Sequence, residues 1–421
     1  MLLPRYFRRQ ATIAITVFLL VNWYLLRKRH CKPGVVDVSA QYPLLSKYID
    51  GGEGNGGAWH LPQEWTGDSP PPLKSVIGAA QLARNLSSAT PHRQIPHSSI
   101  PKIIHQTWKD TNIETWRDTF RQSAEKWLAT LEDNDVAYIF WDDVGVAQFI
   151  RYFEPDLEAD FYALPSNVER SDVFRVLVCK RVGGVYVDLD TEPLKPLSDW
   201  ITKADISSWH DPKPAIDTNT DILYHSTSRV AAIVGIEADN RPDTDTYWRM
   251  GYAYPVQLTQ WAFAFAPDHP ILQLFIDRLL NTLHLVARDQ DLLSDSTQSK
   301  LDSIDPVNLT GPIAFTESVR TWLEMKADLR WDALSGLDDG GRSKLVEDVL
   351  ILPITGFSPG RGTYGNMGSK PITDQAARLY HHAEGSWRNW SLGVEYGKFC
   401  RTVFGRCKDW SKVTHGDYWL F

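Results

Sequence analysis

The chain has 421 residues, of which 43% are hydrophobic and 23% charged, the composition of a globular protein with one large core or two ordinary domains. Its formal net charge is −8, although seven basic residues and no acidic residue lie among the first 36 positions. Because nucleic acids are bound mainly through clustered lysines and arginines, the acidic remainder excludes a nucleic acid as the expected partner.

The N-terminal region has the pattern of a membrane anchor. Residues 11–26 (ATIAITVFLLVNWYLL) carry no charge, and arginines flank them on both sides. As a helix this segment reaches about 24 Å at ~1.5 Å per residue, enough for a thin membrane when the arginines extend to the lipid head groups. A cleaved signal peptide is the alternative, but no small-residue cleavage site follows Leu26. We predict a cytoplasmic tail at 1–10 and a transmembrane signal anchor at 11–26.

The segment after the anchor has the composition of a spacer. Residues 27–99 include a Gly-rich stretch (GGEGNGG, 51–57) and a Pro-rich stretch (SPPP, 69–72), and they lack apolar periodicity. Basic residues on both sides of the anchor leave its orientation open. A luminal body is favoured by three acceptor triplets for N-glycosylation, which begin at Asn85, Asn308 and Asn389. We therefore predict a stem at 27–99 and a luminal catalytic domain at 100–421.

From Ile100 onward, predicted strands alternate with helices. Apolar runs suited to buried strands lie at 100–108 (IPKIIHQTW), 136–143 (VAYIFWDD) and 182–190 (VGGVYVDLD), and the stretches between them have helical spacing. This alternation predicts a mainly parallel α/β sheet, whose ligand crevice lies at the carboxyl ends of its strands.

The segment 169–190 (ERSDVFRVLVCKRVGGVYVDLD) is the most informative for chemistry. Asp172 and Arg175 fall at helical spacing, two glycines end that helix, and a strand then delivers Asp188 and Asp190. Residues two apart on a strand face the same way, so these two carboxylates are expected side by side, where they repel each other. A divalent cation such as Mg²⁺ or Mn²⁺ relieves this repulsion and also binds diphosphate oxygens. An isolated Asp-x-Asp, by contrast, is usually a solvated strand end.

In this context the segment resembles the sugar-nucleotide signature SDxxRxxxLxxxGGxYxDxD of glycosyltransferase family 32. The resemblance extends from about Ile100 to Arg388, and it is closer to the fungal initiation-specific α-1,6-mannosyltransferase branch than to the sphingolipid mannosyltransferases. It implies a nucleotide-diphospho-sugar transferase (GT-A type) fold and a type II Golgi membrane protein. It also implies a retaining enzyme that uses Mn²⁺ and transfers mannose from GDP-mannose to N-linked glycans of glycoproteins. The matching segments are 100–109, 236–261, 310–312, 349–360 and 381–388.

The resemblance also assigns roles to individual residues. One group binds the donor, with Trp108 beside the nucleotide base: Trp108, Asp172, Arg175 and Tyr186. A second group is catalytic or binds the metal: Asp188, Asp190 and His381. His382 is the alternative to His381, and only one of these neighbours is expected to reach the metal, because adjacent residues on a strand face opposite ways. Neutral imidazole is a suitable ligand for Mn²⁺.

Two departures from the family pattern bear on the acceptor. Ala383 stands where the family often has an aromatic residue, and 285–305 is a polar insertion. No Asp or Glu stands out as the nucleophile of a retaining mechanism, and a same-face mechanism without a protein nucleophile remains an alternative. Other acceptors such as a sphingolipid, and a non-catalytic role in a mannosyltransferase complex, are the alternative functions. A glycoside hydrolase is disfavoured, because it needs two carboxyl groups set apart around the bond.

The four cysteines are too few for a disulfide scaffold. Cys400 and Cys407 close a short loop, and in an oxidising lumen they either pair or remain reduced. The sequence leaves this open.

Overall fold

The computed structural model describes residues 37–50, 56–67, 72–132, 135–211, 222–244, 246–288, 301, 304–362, 367–385 and 392–405. The chain divides into two compact units, Met1–Pro43 and Leu44–Phe421. Of the helices within the described ranges, none has both the length and the apolar character needed to cross a membrane. The predicted tail at 1–10 and anchor at 11–26 lie outside those ranges.

The helices and strands are labelled in chain order. The α-helices are α1 (Val38–Gln41), α2 (Pro43–Tyr48), α3 (Gln63–Thr66), α4 (Val76–Ser88), α5 (Asp118–Glu132), α6 (Asp143–Phe153), α7 (Glu158–Ala163), α8 (Asn167–Arg181), α9 (Thr246–Arg249), α10 (Pro270–Arg288), α11 (Pro306–Leu309), α12 (Pro312–Ala327), α13 (Ile354–Phe357) and α14 (Leu392–Phe404). Short 3-10 helices lie at Pro91–Arg93, Ile113–Thr115, Pro155–Leu157, Leu197–Asp199 and Trp331–Leu334. The strands are β1 (Gly57–His60), β2 (Ile103–Thr107), β3 (Ala137–Trp141), β4 (Gly184–Val187), β5 (Thr191–Pro193), β6 (Trp209–Asp211), β7 (Ile222–Tyr224), β8 (Ala232–Asp239), β9 (Val256–Phe265), β10 (Lys344–Val346), β11 (Val349–Leu352) and β12 (Leu379–His381).

A mixed eight-stranded sheet organises the larger unit, in the order β1-β3-β2-β4-β9-β8-β11-β10. The pairs β3–β2, β2–β4 and β8–β11 are parallel, as the alternation of strands and helices predicts. The pairs β1–β3, β4–β9, β9–β8 and β11–β10 are antiparallel. The two antiparallel pairs of β9 arise because β9 returns beside β8 without a crossover helix, so it enters the middle of the sheet in the reverse direction. Two small sheets, β5–β12 and β6–β7, lie apart from this one.

The unit α8–β4 places the predicted motif at the centre of the sheet. Ser166 caps α8 by accepting the N–H of Val168, and Gly183 and Gly184, with φ of 77° and 109°, turn the chain into β4. A Cβ on Gly184 would lie 2.4 Å from the carbonyl oxygen of Ile103, so the close approach of β4 to β2 requires glycine. All four residues of β4 are buried.

The structure moves the predicted boundary between stem and catalytic domain. Strand β1 pairs with β3 in the main sheet, and Trp65 and several residues of α4 lie in its hydrophobic core. The compact unit therefore begins at Leu44, whose N–H donates to the carboxylate of Glu125 on α5, rather than at Ile100. Sequence periodicity missed these elements because each is short or made of small residues, and Gly-rich and Pro-rich stretches separate them.

The cysteines differ in state. Cys179 on α8 is a free, buried thiol, and burial raises its pKa. Cys400 on α14 is disulfide-bonded. Cys407, whose pairing with Cys400 the sequence left open, and Cys31 lie outside the described residues.

Candidate metal site

The two motif aspartates lie in a turn at the carboxyl edge of the main sheet. Strand β4 ends at Val187, and the N–H of Thr191 donates to the carbonyl of Asp188 at 3.1 Å. The side-chain amide of Gln106, on the parallel neighbour β2, donates to the same carbonyl at 3.3 Å. The expectation that Asp188 and Asp190 share a strand face is therefore corrected: the strand is too short to include them, and the turn brings their carboxylates together instead.

Asp188, Asp190 and His381 form the cluster with the geometry of a metal site. One ligand atom from each residue lies within 4.8 Å of those of the other two. The Nε2 atom of His381 is 3.3 Å from Oδ1 of Asp190. His381 reaches this place because β12 pairs antiparallel with β5, which sets His381 opposite Thr191, directly after the turn.

The neighbouring histidine faces the other way. The Nε2 atom of His382 lies 2.8 Å from a carboxylate oxygen of Glu192, whose other oxygen is 2.5 Å from the ammonium of Lys126. Only the backbone N–H of His382 contacts the turn, donating to the carbonyl of Asp190 at 3.0 Å. The structure thus places His381, and not His382, beside the two aspartates.

Arg175 on α8 links the cluster to Asp172. Its Nη2 atom lies 3.2 Å from a carboxylate oxygen of Asp172 and 3.2 Å from one of Asp188. Its guanidinium also lies over the ring of Tyr186, 5.1 Å from the centroid, and the Tyr186 hydroxyl donates to Asp188 at 3.0 Å. Tyr186 is itself buried, so it holds Asp188 and Arg175 in place and presents no open surface to a ligand.

Burial and charge set the protonation of the acids. Burial raises the pKa of Asp172 to about 6, with Arg175 opposing the shift and Asp188 adding to it. Burial also raises the pKa of Asp188, opposed by Arg175 and reinforced by the charge of Asp190. The pKa of Asp190 is lowered, because the effect of burial is outweighed by His381 and by the backbone N–H of Glu384. Of the three carboxylates, Asp190 therefore keeps its negative charge to the lowest pH.

Several partners of the predicted residues were not singled out from the sequence. The Thr310 hydroxyl donates to Asp172 at 3.1 Å, and the side-chain amide of Gln260 donates to the carbonyl of Thr310 at 2.6 Å. The N–H of Glu384 donates to Asp190 at 3.0 Å. Trp261 on β9 stacks on His381, with ring centroids 4.2 Å apart. These four partners lie inside segments that carry the family resemblance, but only the fold shows what they contact: Gln260, Trp261, Thr310 and Glu384.

Trp108 stands apart from this network in the described contacts. It directly follows β2, its N–H donates to the carbonyl of Trp141 at 3.1 Å, and its indole packs edge-on to Phe120 at 4.7 Å between ring centroids. Its indole N–H has no partner among the described residues. The structure thus puts Trp108 at the carboxyl edge of the sheet, and its contact with a nucleotide base stays a prediction.

The donor set fits a divalent cation. Two carboxylates and one imidazole nitrogen offer the hard oxygen and borderline nitrogen ligands that Mn²⁺ and Mg²⁺ accept, with room for oxygens of a ligand. The imidazole and the backbone N–H of Glu384 orient Asp190 toward the cluster. Such an arrangement can bind a cation together with an anionic diphosphate.

Comparisons with known proteins agree with this site. Residues 108–207 match the family model described as a glycosyltransferase sugar-binding region containing the DXD motif. This region includes Trp108, Asp172, Arg175, Tyr186 and both motif aspartates. The predicted resemblance to this family of glycosyltransferases is confirmed.

The chain is also similar to curated fungal proteins. It is 32% identical to the initiation-specific α-1,6-mannosyltransferase of Schizosaccharomyces pombe, over 70% of this chain and 65% of that protein. It is 28% identical to the Candida albicans protein of the same name, over 75% of this chain and 78% of that protein. The inositol phosphoceramide mannosyltransferase 3 of S. pombe is 34% identical, but over only 25% of this chain and 30% of that protein. The match therefore spans slightly less than two thirds of the first of these relatives.

Proposed function

We propose that this chain, whose residues 108–207 match the model of glycosyltransferase sugar-binding regions containing a DXD motif, is a metal-dependent mannosyltransferase that uses GDP-mannose. The observation that carries the proposal is the convergence of Asp188, Asp190 and His381 on one point beside the Arg175–Asp172 pair. Mn²⁺ is the proposed cation, because the set combines carboxylate oxygens with an imidazole nitrogen.

The side chains divide the work of binding the donor. Asp188, Asp190 and His381 would hold the cation, which when bound supplies positive charge to the diphosphate leaving group. Arg175 keeps Asp188 in place and neutralises part of the negative charge of Asp172 and Asp188. Asp172, held by Arg175 and Thr310, offers carboxylate oxygens to hydroxyl groups of the sugar. Trp108 provides an aromatic wall for the nucleotide base.

The proposed reaction retains the configuration of the mannose. None of the described contacts singles out a protein nucleophile, since the carboxylates of the cluster are already engaged by Arg175, Tyr186, His381 or backbone N–H groups. A same-face transfer, in which the acceptor hydroxyl attacks from the side of the leaving diphosphate, agrees best with this arrangement.

The proposed acceptor is an N-linked glycan of a glycoprotein, extended through an α-1,6 linkage in the Golgi lumen by a type II membrane protein. Two relatives named α-1,6-mannosyltransferases match 70% and 75% of this chain, whereas the inositol phosphoceramide enzyme matches 25%. The longer matches include regions outside the DXD segment, where acceptor contacts are expected. The membrane anchor and the luminal location remain predictions from residues 11–26 and from the glycosylation triplets.

The decisive experiment uses the fragment Leu44–Phe421, which keeps the whole compact unit. We expect transfer from GDP-mannose to a defined high-mannose glycan in Mn²⁺, loss of transfer in EDTA, and no transfer from UDP-sugars. Inositol phosphoceramide as the acceptor tests the sphingolipid alternative. Release of free sugar from the glycan, in the absence of any nucleotide, would instead indicate a hydrolase. Absence of transfer to every acceptor, with GDP-mannose still bound, would favour the non-catalytic partner.

A further inference from the structure

Trp261 contacts two separate parts of the metal cluster, the turn that carries Asp188 and the ring of His381, although it offers no ligand atom itself. Its indole lies nearly flat against the imidazole of His381, with ring centroids 4.2 Å apart and 23° between the planes. Its backbone carbonyl accepts the N–H of Asp188 at 2.9 Å. One residue of β9 therefore contacts both the DXD turn and the histidine that arrives from the far end of the chain.

We propose that Trp261 is a positioning residue of the metal site, and that its indole raises Mn²⁺ affinity by holding His381 with Nε2 toward Asp190. The inference rests on the proposed metal-dependent function. Trp261 touches no reacting atom and acts through the histidine.

The contact is suited to this task because it uses the face of the imidazole. A hydrogen bond would also restrain the ring, but it would occupy one of the two nitrogens. His382 shows that alternative, since its Nε2 is held by Glu192 at 2.8 Å. His381 also has its Nε2 beside a carboxylate, 3.3 Å from Asp190, but its ring is held through its face by Trp261, so a cation bound by both residues would replace that contact without releasing the ring. The two neighbouring histidines are thus held by different contacts, and the aromatic restraint on His381 leaves its Nε2 able to bind a metal together with Asp190.

Charge favours the same contact when a cation is bound. A metal-bound imidazole carries part of the positive charge of the ion, and the face of an indole is the aromatic surface that attracts cations most strongly. The stack is therefore stronger in the metal-bound protein than in the metal-free protein, so it contributes to affinity and not only to folding. Restraint of the side chain before binding acts in the same direction.

The indole is itself held firmly. Trp261 is 7% exposed and lies beside Phe357 on α13, with ring centroids 6.4 Å apart. Phe357 packs in turn against Trp200 at 5.3 Å, and a Cβ on Gly235 would lie 2.5 Å from its ring. The side chains that hold Trp261 against His381 thus belong to the buried hydrophobic core.

The test measures Mn²⁺ affinity of the full chain by electron paramagnetic resonance of the free ion. We expect Trp261→Leu to raise the Kd about tenfold and Trp261→Phe, which keeps an aromatic face, to raise it less than about threefold. Trp322→Leu is the matched control, because Trp322 is 6% exposed and its ring lies 5.4 Å from that of His269, away from the cluster. This control should lower the thermal midpoint without changing the Kd. Trp261→Met replaces the leucine variant if the latter does not fold.

A double-mutant cycle separates positioning from general packing. In a His381→Ala background, Trp261→Leu should have no further effect on the Kd. An unchanged Kd in Trp261→Leu, or an equal loss in both backgrounds, would overturn the inference while the proposed function stands. If the wild-type protein fails to bind Mn²⁺ at all, the proposed metal dependence is wrong and the inference falls with it.

Discussion

Two strands of the sheet end in paired acidic residues, and their surroundings differ. Strand β3 is followed by Asp142 and Asp143, and β4 is followed by Asp188 and, two positions later, Asp190. Both strands run parallel to β2, so both pairs lie at the same edge of the sheet. In the first pair, Asp142 caps helix α6, accepting the N–H of Gly145 at 2.7 Å, and Asp143 begins that helix.

No helix follows the second pair directly. Its carboxylates instead meet a buried arginine, a tyrosine hydroxyl and a histidine that comes from β12. The comparison shows that acidic residues after a strand are not enough to make a metal site. At the start of a helix, the backbone N–H groups donate hydrogen bonds to a carboxylate. In the turn after β4 the carboxylates lack such a helix and are available to side chains or to a cation.

The largest effect on stability is expected from Arg175→Gln. This change leaves the carboxylates of Asp172 and Asp188 buried without the positive charge of the guanidinium. Removing one partner of a buried ion pair costs about 3–5 kcal/mol. Chemical denaturation at neutral pH measures the loss. The control is Arg151→Gln on α6, which removes an exposed pair with Glu158 and should leave the free energy of unfolding nearly unchanged. Similar losses in the two variants would contradict the distinction between the sites.

A second effect follows from His105 on β2, the strand between β3 and β4. The carbonyl of Gly183 can only accept, so Nε2 carries the proton, and Nδ1 accepts the indole N–H of Trp141 at 3.2 Å. Burial lowers the pKa of His105 to about 4, opposed by the hydrogen bond to Gly183. A depressed pKa means that the unfolded chain takes up the proton first. The contribution of His105 to the free energy of unfolding is therefore fully present above about pH 6.5. It decreases as the pH falls toward 4, by roughly 3 kcal/mol in total.

The measurement is the free energy of unfolding between pH 7 and pH 4.5 for the wild type and for His105→Gln, which does not titrate. The difference between the two proteins should shrink as the pH falls. This comparison is needed because the raised pKa of Asp172 acts with the opposite sign between about pH 4 and pH 6. A constant difference across the range would show that His105 is not held neutral.

The third prediction concerns catalysis and rests on the proposed function. Asp190→Asn keeps shape and one oxygen but removes the charge, and loss of a strong electrostatic contact at a transition state commonly lowers turnover ~10²-fold or more. The thermal midpoint in metal-free buffer should fall only slightly, because the lowered pKa of Asp190 shows that His381 and the N–H of Glu384 stabilise its charge somewhat more than burial opposes it. Turnover, a Mn²⁺ titration and the midpoint together decide. Near-normal turnover with an unchanged Mn²⁺ requirement would remove Asp190 from the site.

Much of the site could be predicted from the sequence, because the signals are local. Asp172 and Arg175 lie one helical turn apart, and Asp188 and Asp190 follow in the same short segment. The family resemblance of this segment then indicates that the four residues act together. The exact geometry could not be predicted, since the extended pattern VYVDLD does not reveal that β4 ends before the first aspartate. His381 was reachable only through the family resemblance, and the choice against His382 required the register of β5 with β12.

The fold was predicted less completely, for a related reason. The parallel strands β2, β3 and β4 follow from alternation with helices along the chain. The reversed strand β9 depends on a pairing that brings Trp261 beside Asp188, a contact between residues distant in sequence. The elements before Ile100 were missed because β1 has four residues and gains its stability only by pairing with β3.

The smallest effect is expected from the same substitution in the other acidic pair, Asp142→Asn. Burial raises the pKa of Asp142, and the backbone N–H groups of Gly145 and Val144 oppose that shift, so the carboxylate gains little there from being charged. Asparagine caps a helix about as well as aspartate, because its side-chain oxygen accepts the same N–H. The free energy of unfolding should therefore change by less than about 0.5 kcal/mol, and turnover should stay within about twofold. Asp142→Ala removes the cap and should cost about 1 kcal/mol, which confirms that the position is sensitive to the hydrogen bond but not to the charge. A loss of turnover in Asp142→Asn as large as that in Asp190→Asn would show that both pairs serve the reaction, and that a helix start does not by itself withdraw a carboxylate from it.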